Sequence, residues 1–246
     1  KLLEGDTSLD FDLYEKILFS QIESLDKSDQ QLFFFNGLNH LIRLTNIGED
    51  VTQRAFEWFR YGLTINVLTD QKTIKDTTFG NIIIHAAKAK AFDWAETFIA
   101  EYQYYLKEDN RLETVSFYEG ILYYFQKDLD LAIERLNQYR PLPQFIFQVK
   151  TLTIRILFEK FRLDVSYFDV LLAKLQTFQV FIKRDSYYIE TTYPRHLNFV
   201  KITRKIARSI YNKESKHKIK NWFTLEISKN EPIHAKQWLI AQVNEL

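Results

Sequence analysis

The 246-residue chain contains no cysteine and no methionine, and only six glycines and four prolines. Without cysteine, disulfides and thiolate metal sites are excluded, although this absence fixes no redox compartment. So little glycine and proline argues against a β-rich fold of many tight turns. Methionine is missing even at position 1. That fits a chain that is processed, excised from something longer, or written without modified methionines. No signal peptide is visible, and no apolar run approaches the roughly 18 residues needed to span a bilayer. No membrane insertion is expected, and the cytoplasm is the expected location.

Catalytic signatures are missing as well. There is no HExxH, no GxGxxG or GxxxxGK[ST] phosphate cradle, and no GxSxG nucleophile turn. His40, His85, His196, His217 and His234 are scattered, none with a partner at ligand spacing. Each reads as a surface or satisfied core residue. Asp128 and Asp130 stand at a helix start, where capping and the helix dipole account for them. No catalytic residue, metal or cofactor is assigned, and the chain is expected not to be an enzyme.

What the chain has is apolar and aromatic mass, 46% and 16% of its residues, enough to bury a core. Its net charge of +1 by itself implies neither a nucleic acid nor an acidic partner. Three- and four-residue apolar spacing predicts helices almost throughout. Phe11, Tyr14, Ile17, Leu18, Ile22 and Leu25 trace the first. Ser28 is the expected cap of a second that stops near Gly48, and a third runs from about Val51 to Leu68. Helices follow over Thr77–Lys90 and Asp93–Leu106, the latter opening on an Asp variant of the capping box. Beyond a central hairpin, helices are expected over Gln144–Phe161, Ser166–Ile182, Pro194–Tyr211, Lys216–Ile227 and Pro232–Leu246. Pro232 is favourable at a first helical position. This makes about twelve helices on short connections, which place successive helices side by side. The last, with Ile233, Trp238, Leu239 and Val243 inward, reads as a terminal cap.

The central hairpin, Ser116–Tyr139, organises this reading. Its first helix carries Phe117, Gly120, Ile121, Tyr123 and Tyr124, and its second Leu129, Ala132, Ile133 and Leu136. Asp128 between them can cap the second helix. Gly120 and Ala132 lie on facing sides, where small residues let two backbones approach closely. The pattern resembles the tetratricopeptide (TPR) repeat, with Gly120, Tyr123, Ala132 and Leu136 on its small and large positions. Ser116 stands where that repeat has tryptophan, and the closing proline is displaced to Pro141 or Pro143. A weaker copy over Ile82–Tyr102 aligns Ala95 with Ala132, 37 residues on, with Ile83 at the glycine position. The resemblance covers about a quarter of the chain.

The resemblance implies an all-α solenoid of antiparallel hairpins, a single domain over 1–246 that could continue upstream of Lys1. It also implies a non-catalytic scaffold that binds a protein or peptide in a groove lined by first helices. The matching positions are Phe117, Ile121, Tyr124 and Phe125, with Gly80, Ile84 and Lys88 in the upstream copy. Residues that clamp a peptide carboxylate in some members are absent there, so an apolar or aromatic groove is expected. Phe33–Phe35, Tyr102–Tyr105 and Tyr123–Phe125 place rings on several sides of a helix, as helices with two or three neighbours require.

A second function class rests on charge. Arg195–Lys220 holds nine basic residues against one acid, Glu214. Lys201, Arg204, Lys205 and Arg208 share one helix face, opposite Phe199, Ile202, Ile206 and Ile210. The stripe reads either as a solvated face or as a phosphate-binding surface for nucleic acid.

Overall fold

The structure, a computed structural model, describes residues 10–184 and 192–246. Among these residues are twelve α-helices and no strand, as the periodicity predicts. No described helix is long and apolar enough to cross a membrane. The chain gathers into two compact units, Lys1–Ile146 and Phe147–Leu246.

In the first unit, α1 (Phe11–Gln21), α2 (Lys27–Ile47), α3 (Thr52–Thr64), α4 (Asp76–Lys88), α5 (Phe92–Tyr102), α6 (Arg111–Gln126) and α7 (Leu129–Gln138) follow one another. Each packs on its successor, and α4 packs on α6 as well. Side-chain caps set several starts. The Asp10 carboxylate accepts from the Asp12 and Leu13 amides at 3.0 and 3.1 Å. Asp128 caps α7 through the Leu131 amide at 3.0 Å, as the sequence predicts. Two expected caps are corrected. Asp26, not Ser28, caps α2, accepting from the Asp29 amide at 2.9 Å. The helix α5 starts one residue before Asp93, on Ala91 with no side-chain cap. Asp93 then sits in the first turn, where its charge favours the positive helix end.

Close helix approach depends on glycine. A Cβ on Gly120 would lie 2.8 Å from Leu136 Cδ2 and 3.3 Å from the Ala132 carbonyl oxygen. The expected contact between these small positions is therefore present, with Leu136 wedged beside it. Ala132 is fully buried. Ala132→Leu is expected to overpack this seam by about 1–3 kcal/mol. Glu134→Leu, on the exposed side of α7, should cost far less. Thermal unfolding of the pair checks this, and equal losses would show that the seam does not hold the hairpin.

In the second unit, α8 (Ile146–Leu163), α9 (Phe168–Arg184), α10 (Thr192–Tyr211), α11 (Lys216–Lys229) and α12 (Lys236–Asn244) surround a core built on α10. That helix packs on α9, α11 and α12. Phe199, Ile202 and Ile206 are completely buried on its inner face. Ring contacts tie α8 in: Phe147 on Phe178, Phe161 on Phe168, and Phe158 on Trp238. Pro232 is corrected, since α12 begins only at Lys236 and the proline precedes it. Trp238, Leu239 and Val243 are buried as expected, and Ile233 packs inward from the preceding segment. The Arg162 guanidinium holds the end of α12, bonding the Glu245 carboxylate at 3.0 Å and its carbonyl oxygen at 3.2 Å.

Candidate binding site

The four groove positions expected on α6 do not form one open surface. Phe117 and Tyr124 are 6% and 4% exposed and belong to the core, which corrects their expected place on a partner groove. The Phe117 ring stacks on Phe145 at 4.6 Å. Ile121 and Phe125 are half-buried. The reason is the number of neighbours, because α6 touches α4, α5 and α7 and keeps little free circumference. Of the upstream positions, Gly80 is buried while Ile84 and Lys88 are half-buried.

The basic stripe does face outward, but acids meet it. Lys201 Nζ lies 2.5 Å from Glu226 Oε1, and Lys205 Nζ 3.8 Å from Glu214 Oε1. Arg204 is half-buried and donates to Gln176 at 3.4 Å, and burial lowers its pKa. Arg208 remains exposed. Two of the four charges are thus countered by carboxylates, one of them, Glu226, on the next helix. Such exposed pairs are worth little for stability, about 0–1 kcal/mol. They do weaken the positive field that a phosphate backbone would need.

An opening lies elsewhere, between α3 and α5. Both α3 and α5 lean on α4, and a cavity of about 450 Å³ remains between them. Glu57, Arg60, Tyr61 and Thr64 reach it from α3, at i, i+3, i+4 and i+7, so one helix face supplies them. Trp94, Thr97, Phe98, Glu101 and Tyr102 reach it from α5 on the same spacing. Leu63 completes the lining.

Aromatic packing makes the walls rigid. Trp94, Phe98 and Tyr102 form a stacked ladder along α5, with centroids 5.5 and 4.8 Å apart. The Phe56 ring closes one end edge-on against Trp94 at 5.0 Å. Behind Tyr61 lies Phe19, at 4.3 Å. Burial raises the pKa of both tyrosines, helped by Glu23 at Tyr61 and by Tyr105 and Glu101 at Tyr102. Arg60 is tied to Glu57, with Nη1 3.0 Å from Oε2.

Sequence reasoning passed over this site because the TPR resemblance directs attention to first helices. A signal was present in the aromatic triplet Trp94, Phe98 and Tyr102. Four-residue steps stack the rings along one side, and Thr97 and Glu101 interleave at the edge. Such a stripe is apolar in its middle and polar at its margin, as a half-open wall should be.

Among the described residues no cluster of His, Asp and Glu is arranged to hold a metal ion. His196 and His234 nevertheless stack, with ring centroids 4.2 Å apart. Their separation of 38 positions hides that contact in the sequence. Comparisons with protein-family models, curated proteins and solved structures returned no match for this chain.

Proposed function

We propose that this chain is a non-catalytic helical-repeat scaffold that docks a protein partner in the α3–α5 cavity. The observation that carries the reading is the cavity itself, about 450 Å³ between α3 and α5. Half-buried aromatic side chains set among polar ones, as Trp94 and Tyr102 are here, are how protein interfaces concentrate binding energy. Successive packing of α2 through α7, together with the buried small residues Ala95 and Ala132 at matching places in α5 and α7, supports a repeat architecture.

A photocrosslinking amino acid placed at Thr97, an exposed lining residue, tests this. In extract from the source cell it is expected to give discrete polypeptide adducts that are absent when the crosslinker sits at Glu134 on α7. Identical adduct patterns from the two positions would dismiss the cavity as a docking site.

A further inference from the structure

Two carboxylates, of Glu57 and Glu101, and one guanidinium, of Arg60, stand on the lining of the α3–α5 cavity. Arg60 is the single cation among them and is already engaged. Its Nη1 donates to both Glu57 oxygens, at 3.3 and 3.0 Å, and its guanidinium carbon lies 5.9 Å from the centre of the Phe56 ring. One negative charge on the lining therefore remains uncompensated. Glu23 adds to it from the α1 side, since its charge is felt at the Tyr61 hydroxyl.

The aromatic ladder bears on the form of the ligand. The Phe98 ring is stacked on both sides, by Trp94 and by Tyr102, and those two each spend a face on it. Ring faces attract cations, and ring edges do not. With so many faces covered, apolar contact is left to the exposed parts of Trp94 and Tyr102, and a carboxylate must recognise charge. A group that suits both is a long methylene stem ending in a cation. Lysine and arginine lay such stems along apolar surface while their heads seek a polar rim.

We propose that the cavity receives a lysine or arginine side chain of the docked protein, an assignment that rests on the docking function above. The stem lies against the exposed parts of Trp94 and Tyr102, which flank the buried Phe98 ring. The head is drawn to the Glu101 carboxylate, since Glu57 is already bonded by Arg60 and Gln53. A partner segment entering here carries a basic residue flanked by neutral or apolar ones. An acidic segment is opposed by the same carboxylate.

The test uses the full chain labelled with 5-fluorotryptophan, with the Trp94 resonance assigned through Trp94→Phe. The probes are the N-acetyl methylamides of arginine, lysine, norleucine and glutamate. The arginine and lysine amides are expected to move the Trp94 resonance saturably in the millimolar range, with a response that weakens as salt is added. Norleucine and glutamate amides should leave it in place. Glu101→Gln should weaken the arginine response about fivefold, the worth of one solvent-facing charge contact. It should also lower the crosslinking yield at Thr97. Equal responses to arginine and norleucine would overturn the charge assignment, and so would no response to either. A response to glutamate alone would convert the site to an anion site at Arg60. These failures leave the Thr97 adducts untouched, so loss of the basic-ligand assignment is distinguishable from loss of docking itself. Adducts whose yield ignores Glu101→Gln would also overturn the assignment, because the partner would then be held without a basic side chain.

Discussion

Gly80→Ala is expected to be the most damaging single-methyl change in the first unit. A Cβ at this position would fall 1.8 Å from Tyr118 Cζ and 2.1 Å from the hydroxyl oxygen. That is far inside contact distance, so one of the two must move. The ring has little room, being 6% exposed and held by Phe117 at 4.9 Å, Phe145 at 5.7 Å and Phe79 at 6.1 Å. The backbone of α4 is held in turn by its contacts with α3, α5 and α6. Overpacking at such a site costs about 3 kcal/mol, at the upper end of the usual range. A double-mutant cycle separates the clash from helix propensity, which by itself favours alanine over glycine. Gly80→Ala combined with Tyr118→Ala should recover much of the loss seen when the two single costs are added. Simple additivity in urea unfolding would mean that the glycine is not there to admit the ring.

The second large effect is expected from acid. His85 is 3% exposed, and burial lowers its pKa to about 4, against a raising hydrogen bond from its ring to the Asn81 carbonyl oxygen. His196 is 4% exposed and falls to about 3, through burial first and then the charges of His234 and Arg195. His234 falls to about 4, through burial, Arg195 and Arg155. All three are depressed in the folded chain, so between roughly pH 6.5 and pH 4 the unfolded chain binds more protons. Stability is therefore complete above about pH 6.5 and declines as pH falls toward the folded values. Near pH 5, His85 and His196 should each account for a loss of about 2 kcal/mol. Glu119 works in the opposite direction, because burial raises its pKa.

His196→Phe gives the control. The ring packs against Phe147 and Phe178, at 4.8 and 5.7 Å, and its buried Nδ1 has no hydrogen-bond partner. A phenyl ring suits that setting and does not titrate. The variant should be at least as stable as the parent near neutrality and should lose less on acidification. Urea unfolding across this pH range checks both points. An unchanged pH dependence would show that His196 is not one of the groups whose protonation weakens the fold.

The two effects mark different degrees of legibility. The Gly120–Ala132 contact could be read from the chain because both residues lie in one hairpin, twelve residues apart, where helical periodicity fixes which sides face each other. Asp128 was legible for the same reason, as a cap acts within a single turn. The Gly80–Tyr118 contact joins α4 to α6, and no local rule links positions 38 residues apart. Phe117 and Tyr124 show the same limit from the other side. Their spacing permits either an exposed groove or a core, and the choice depends on how many neighbours α6 has.

The sequence by itself determined the helical class, about twelve helices and the approximate start of most of them, and the absence of thiol chemistry, because periodicity, caps and composition act locally. Tertiary structure alone decided which faces are covered. It buried Phe117 and Tyr124 under neighbouring helices, set Glu226 and Glu214 against the basic stripe, brought His196 onto His234, and left α3 and α5 apart. Each of these depends on how far apart separate helices come to rest, and that distance is set by side chains packing from several segments at once, which no single stretch encodes.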